Sequence, residues 1–249
     1  TIECRDAVLA WDRIVRRPEK DRPDPTPRIP HPVTGDLVPD PSRLLPYNEY
    51  VGARPAAWPK ADFIIGNPPY IGTKRMREAL GDGYVDALRG SYPGIPASAD
   101  LVLYWWLTAA KLVASGKTTC AGLITTNSIR MAQNRVVVET GMKLGAFIAW
   151  AVADHPWVDD AGGAAVRVAM TVLARKQSGA RLVEVDDDGA LTSVRVVSRL
   201  HSDLTGGASV ASASGLPLLA NEGLSSFGFM LAGDGFILTQ SEATALIAG

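Results

Sequence analysis

The sequence predicts a doubly wound α/β sheet that ends in an antiparallel β-hairpin. Phe63-Ile64-Ile65 and Ala121-Gly122-Leu123-Ile124 are short and wholly apolar, as expected for strands of a parallel sheet buried on both faces. Between them, Leu101 to Ser115 is apolar on nearly every side, which marks a helix packed deep in an α/β layer. Two strand-like runs, Phe147 to Val152 and Ala164 to Leu173, then follow with only a turn between them. The order strand, turn, helix, strand, helix, strand, strand is that of a wound sheet, in which ligands bind at the carboxyl ends of strands.

Taken in order, residues 1–9 read as a short strand and turn, with Ile2 and Cys4 alternating with polar neighbours until Arg5-Asp6 closes the run. Residues 17–60 hold eleven of the seventeen prolines, among many Arg and Asp. That density argues against helix and central strand, so an extended surface insertion or long ordered loop is expected. It is either a solvated connector or a DNA-contacting arm using Arg16, Arg17, Lys20, Arg22 and Arg28. The strand at 63–65 stops at Asn67-Pro68-Pro69-Tyr70, and a mixed segment follows. Ser98-Ala99-Asp100 offers a cap for the apolar helix, and Gly116 its stop. Asn127 and Ser128 end the next strand and read as caps for a helix from about Ile129 to Leu144. Asp154 to Gly163 reads as a turn between the last two strands. Beyond Lys176 the pieces shorten to Arg181–Val185 and Leu191–Val197, and from about residue 203 Gly, Ala and Ser dominate. A boundary is therefore expected near 178–200, with one domain over 1–178 and a connector and second domain over 179–249. Asp6, Asn67, Asn127 and Trp157 all fall at or just past expected strand ends.

A chain of 249 residues can bury a substantial core, and 47% hydrophobic with 20% charged residues is a globular composition. The net charge of −1 excludes a uniformly basic protein but leaves room for a local basic cleft. Cys4 and Cys120 are far apart, which argues against a disulfide scaffold or thiolate metal site; they read as small core residues in a reducing cytosol. Asp154, His155, Asp159 and Asp160 form an acidic turn, read as a solvated loop and not as a metal site. No apolar run approaches the ~20 residues of a membrane span, and no signal peptide is visible. Thr1-Ile2-Glu3-Cys4 looks like the end of a strand and Glu242 to Ile247 like the start of a helix, so the chain reads as a fragment of a longer protein.

The chemistry centres on Asn67-Pro68-Pro69-Tyr70. Proline fixes its own φ and holds the preceding residue extended, so Asn67 and the Pro68 carbonyl are aimed in set directions. Two acceptors converging on one point suit an amino group, and Tyr70 offers a flat face on which a base can stack, worth ~1–3 kcal/mol. Lys74, Arg75 and Arg77 follow at once, and Arg130 and Arg135 open the helix after Asn127; together they are candidates to line a DNA cleft.

Asn67-Pro68-Pro69-Tyr70 resembles the catalytic motif of S-adenosylmethionine-dependent amino methyltransferases, particularly the DNA adenine-N6 enzymes. The resemblance, over about residues 1–176, implies a partial Rossmann-like methyltransferase sheet. It implies that the Asn67 side chain and Pro68 carbonyl accept hydrogen bonds from the target amino group of a flipped adenine in double-stranded DNA, with Pro69 stiffening the turn and Tyr70 stacking on the base. No metal is required. Arg5-Asp6-Ala7-Val8-Leu9 is similar to an acidic motif whose Asp receives the cofactor's adenine amino group, and Trp157 stands where the family carries an aromatic on the base's opposite face. Ile71-Gly72-Thr73-Lys74-Arg75 with Asp154-His155-Pro156-Trp157-Val158-Asp159 resembles the MmeI-like restriction-modification enzymes, in which a nuclease precedes the methyltransferase and target recognition follows. The family's glycine-rich cofactor loop is absent, and by family order it belongs to a missing N-terminal part of the same polypeptide. This fragment alone is expected to bind cofactor poorly. Release-factor glutamine methyltransferases share the motif but end soon after their last strands, so DNA is favoured over protein. A non-catalytic DNA-binding module is the remaining alternative.

Overall fold

The computed structural model describes residues 2–157, 166–175 and 178–207. The chain divides into two units, 1–209 and 210–249, and every described residue lies in the first. The acidic Asp159-Asp160 pair, Gly162-Gly163, the onset of the second hairpin strand and the terminal helix lie outside the described residues.

Residues 2–8 form no strand, contrary to expectation: Ile2 is fully exposed and Cys4 is exposed rather than in a core. Among the described residues no strand pairs with this segment; where it nears the core, the Ala7 carbonyl takes the Trp58 indole N–H and the Val8 carbonyl the Tyr92 hydroxyl instead. Cys120 is half-buried.

The proline-rich insertion is a nested antiparallel ribbon, not a loop. Strand β1 (Leu9–Ala10) pairs with β8 (Arg54–Pro55), β2 (Arg13–Arg16) with β7 (Asn48–Val51), β3 (Arg22–Pro23) with β6 (Leu44–Leu45), and β4 (Arg28–Pro30) with β5 (Leu37–Pro39). The register slips between β2–β7 and β3–β6, where a 3-10 turn, Pro18–Lys20, is inserted. Proline is excluded from central strands, but every strand of a two-stranded ribbon is an edge strand, with one row of N–H groups facing outward. His31 and Asp36 close the tip, with Gly35 at φ 75°. The root is anchored by Tyr50, whose ring meets Trp11 and Tyr84 edge-on at centroid distances of 5.0 and 5.5 Å.

Strand β9 (Phe63–Gly66) leads through the Asn67–Tyr70 loop into two helices in the segment read only as mixed, α1 (Thr73–Leu80) and α2 (Asp82–Ser91). Helix α3 (Val102–Ala114) buries Leu103, Tyr104, Trp106 and Leu107 completely or nearly so, as its composition predicts, and ends before Gly116 at φ 74°. Strand β10 (Cys120–Thr126) and a 3-10 turn (Asn127–Arg130) precede α4 (Ala132–Lys143). Strands β11 (Phe147–Trp157), β12 (Val166–Ala174), β13 (Ala180–Val185) and β14 (Leu191–Val197) follow.

These strands form a mixed six-stranded sheet in the order β14-β13-β11-β12-β10-β9. Strands β9 and β10 are parallel, β11 and β12 are the antiparallel pair, and β13 lies parallel to β11, so the sheet runs on past residue 178. Helix α3 packs on the face of Ala121, Leu123 and Thr171, where Trp106 Nε1 donates to Thr171 Oγ1 at 3.2 Å. Helices on both faces were expected, but on the second face Phe63 is 64% and Ile65 is 89% exposed. The expectation that β9 is buried on both faces is thus corrected: among the described residues it is the sheet's edge, with nothing over that face.

Candidate active site

Strand β10 is parallel to β9 and antiparallel to β12, which is itself antiparallel to β11. Strands β9, β10 and β11 therefore point the same way. Asn67 is the first residue past β9, Asn127 the first past β10, and Trp157 the last of β11, so all three stand at one carboxyl edge of the sheet. Asp6 does not stand at a strand end. It sits before β1, where Oδ1 accepts the Val8 and Leu9 amides at 2.8 Å each and Oδ2 accepts the Tyr84 hydroxyl at 2.8 Å. Burial, then the Asp6 carboxylate, pushes the Tyr84 phenol far above its usual pKa, so it stays a donor.

In the loop, Asn67 and Pro69 are exposed, Pro68 is buried and Tyr70 is half-buried. The Tyr70 hydroxyl donates to Asn67 Oδ1, fixing the amide with its oxygen toward the ring. Burial raises the Tyr70 pKa, so the phenol is protonated at neutral pH and stays a donor to Asn67. Past Tyr70 the chain is fastened twice: Leu101 N–H donates to the Ile71 carbonyl at 3.0 Å, and Thr73 N–H donates to Asp100 Oδ1 at 3.1 Å.

The expected caps are put to other uses. Leu101 stands at the N-cap of α3 with no side-chain cap, and the Asp100 carboxylate instead takes Thr73 N–H, at the start of α1, and the Ser128 hydroxyl. Met131 likewise stands at the N-cap of α4 without a side-chain cap. Asn127 donates instead to Asp154 Oδ1 at 3.1 Å, joining the ends of β10 and β11. Asn127 and Ser128 both lie in the 3-10 turn Asn127–Arg130, and Ser128 meets α4 through the Asn134 side chain, not by capping its backbone.

Asp154 to Trp157, expected as a turn, lie in β11, because β12 offers partners as far as Trp157↔Val166. The register shifts between Val152 and His155. Trp157 is 38% exposed, its ring available at the edge. Arg167 donates to Asp154 Oδ1 at 2.6 Å. Burial alone would raise the Asp154 pKa; the Arg167 and Asn127 hydrogen bonds outweigh it and hold the carboxyl below its usual range. Arg130, Asp154, Arg167, Glu184 and Arg195 line an adjacent cleft of about 500 Å³.

The candidate cationic residues separate. Lys74 and Arg75 are exposed on α1, one turn from the loop. Arg77 is occupied by Asp82 at 3.0 Å and Asp86 at 2.7 Å, and Asp82 also holds Arg22. Arg130 donates to the Asp203 carbonyl at 3.1 Å beside the cleft, and Arg135 lies on α4 at 4.0 Å from Glu139. In the ribbon, Arg16 and Arg17 pair with Asp21 and Glu49, Lys20 lies over the Tyr47 ring, and Arg28 donates to the Leu37 carbonyl. Among the described residues no cluster of three His, Cys, Asp or Glu side chains is arranged to hold a metal.

Two participants escaped the sequence reading, Arg167 and the fully buried Asn134. Asn134 was visible in principle, since it completes the stripe Asn134, Val137, Val138, Gly141 at helical spacing, a polar residue on an otherwise buried face. Arg167 had no such signal, because its partner lies across a strand pair.

A family model for the DNA-methyltransferase domain of MmeI matches residues 1–184. No curated protein matches the chain. Among solved structures, the chain is similar to the Type IIL restriction-modification enzyme MmeI in complex with DNA, at a TM-score of 0.51 and 21% identity, over 59% of this chain and 20% of that one. The chain thus spans about a fifth of that protein's length, and at this identity the likeness bears on the fold.

Proposed function

This chain belongs to the MmeI DNA-methyltransferase domain family, and from that premise we propose that it moves a methyl group from S-adenosylmethionine to the N6 amino group of a flipped adenine in double-stranded DNA. We read it as the catalytic part of a restriction-modification or phage-defence enzyme. One observation carries this reading: Asn67-Pro68-Pro69-Tyr70 leaves a strand at the same sheet edge that holds Asn127 and Trp157.

The cofactor supplies a methyl group on a cationic sulfur, so no metal is needed to activate the leaving group. The chain's task is positioning and electrostatics. Asn67 Oδ1 and the Pro68 carbonyl accept the two amino hydrogens, which orients the nitrogen lone pair toward the methyl. An amide oxygen has two acceptor sites, so Asn67 can keep the Tyr70 hydroxyl and still receive the base. Tyr70 and Trp157 take the two faces of the extruded ring and help offset the few kcal/mol of flipping. Asp6 fits a cofactor amino group: its Oδ2 carries only the Tyr84 hydroxyl, and a carboxylate oxygen accepts more than one donor. Lys74, Arg75, Arg130 and Arg135 would meet DNA phosphates; Arg77, held by two carboxylates, is the weakest of that set.

The uncovered face at Phe63 and Ile65 is where we place the missing N-terminal part of the polypeptide, with its glycine-rich loop. Residues beyond about 200 are read as the start of target recognition. The test is methyl transfer by the full-length polypeptide and its Asn67→Ala variant. Transfer to DNA that the substitution abolishes, with DNA binding largely kept, supports the reading. Label on protein glutamine, or equal loss of transfer and DNA binding, counts against it.

A further inference from the structure

Asn134 is fully buried, and its amide is spent on two residues. Its oxygen accepts the Asp100 N–H at 2.9 Å, while its nitrogen donates to Asp100 Oδ2 at 2.7 Å and to the Ser128 carbonyl at 3.0 Å. The Ser128 hydroxyl donates to the same Asp100 oxygen at 2.8 Å. The other oxygen of Asp100 receives the Thr73 amide at 3.1 Å, and the adjoining Leu101 amide holds the Ile71 carbonyl at 3.0 Å. Asp100 and Leu101 therefore grip the chain at the residues that follow Tyr70. Ser128 and Asn134 belong to the segment that follows Asn127.

A cap for α1 needs one acceptor. This carboxylate is fixed from the far side by two further donors, and buried networks that are fully satisfied specify one arrangement. The arrangement specified is the placement of the loop after β9 relative to the end of β10. Small displacements of positioned groups cost rate steeply, about 10²-fold for about 1 Å.

We propose that Asp100 is a positioning residue for methyl transfer: clamped by Asn134 and Ser128, it sets where Asn67 and Tyr70 stand at the sheet edge. The proposal rests on the methyltransferase reading.

Thr73 permits a narrow test in the full-length polypeptide. It is the first residue of α1, where proline is tolerated, and Gly72 at φ −69°, ψ 152° already has the extended form that precedes proline. Thr73→Pro deletes the amide proton that Asp100 takes. Thr73→Ala keeps that proton and loses only the hydroxyl, which bonds Ala97 and Arg89. Thr73→Ala is expected to transfer methyl within about twofold of the parent, and Thr73→Pro about tenfold more slowly in kcat, about 1.4 kcal/mol, with KM for DNA unchanged. Asp100→Asn should lower kcat in the same way and speed amide hydrogen exchange at Thr73. Equal kcat for the two Thr73 variants, or a fall in Tm with no fall in kcat, overturns the proposal. If the parent transfers no methyl to DNA, the functional reading fails on its own. Exchange at Thr73 then still decides: unchanged protection in Asp100→Asn means that Asp100 does not hold the loop.

Discussion

At Tyr70 two contributions are separable, the ring proposed to stack on the base and the hydroxyl that holds the Asn67 amide. Tyr70→Phe keeps the ring, and transfer should fall only a few-fold. Tyr70→Ala also removes the stacking surface, worth about 1–3 kcal/mol. The difference should appear in the fluorescence of 2-aminopurine at the target position, bright for a base flipped but unstacked in Tyr70→Ala and quenched with Phe. Equal quenching in both would remove Tyr70 from the base. Asn67→Ala should slow the chemical step by at least about 10²–10³-fold, as loss of one preorganised polar contact does elsewhere, so that labelled transfer falls below detection. Legibility at this scale followed sequence distance. Asn67 to Tyr70 are four consecutive residues whose types state their chemistry. Asp6 shares its carboxylate with Tyr84, seventy-eight positions on, and Asp100 with Asn134, thirty-four on. Asp100 was visible as a polar residue before an apolar helix, but no local pattern shows which helix it serves.

Among the elements, α4 lies close on α3 at Gly141, where an added Cβ would stand 2.7 Å from a Trp106 ring atom and 2.9 Å from Ala110 Cβ. Trp106 is fully buried and cannot swing aside. Gly141→Ala should therefore destabilise the fold by about 1–3 kcal/mol, as overpacking does, despite alanine's better helix propensity. Gly90, in α2, has open space around it, and Gly90→Ala should stabilise by up to about 1 kcal/mol. Thermal melts of the pair check both signs; a stabilising Gly141→Ala would contradict the α3–α4 packing. The sequence disclosed α3 and β10 well, since continuous apolar runs need no partner to be recognised. It disclosed the ribbon poorly. Proline density excludes helix, but it does not separate a loop from two edge strands that pair only with each other. The strand character of Asp154 to Trp157 was hidden for a related reason: polar residues extend a strand when a neighbour such as β12 continues beside them.

For the molecule as a whole, acid should be more damaging than the small net charge suggests. Asp82 lies between Arg22 and Arg77, and although burial works to raise its pKa, those two partners hold it below the usual range. Asp154 is held low by Arg167 and Asn127 against the same opposition. A carboxylate titrating lower in the folded than in the unfolded state contributes stability that is complete above the unfolded value and is lost as pH falls through the folded one. Tm should be level from about pH 7 to about pH 5 and decline below about pH 4. Asp82→Asn should lower Tm at neutral pH and make the acid decline shallower; an unchanged neutral Tm would mean that the Arg22–Asp82–Arg77 cluster carries no net stability. The exposed β9 face makes a prediction that changes sign with context. Ile65→Lys should improve the solubility of residues 1–249 expressed alone and, if the proposed N-terminal part covers this apolar face, should destabilise the longer polypeptide. Improved behaviour in both would leave that face without an occupant. The sheet's carboxyl edge was readable from the order of elements, whereas the uncovered second face was not, because the runs that form it are as apolar as those of a covered strand.

The most direct test is to incubate the full-length polypeptide with methyl-labelled S-adenosylmethionine and duplex DNA, digest the DNA to nucleosides, and locate the label. Label in N6-methyldeoxyadenosine, absent with Asn67→Ala, is the predicted result. Label only on protein glutamine, or on no product at all, would contradict the account.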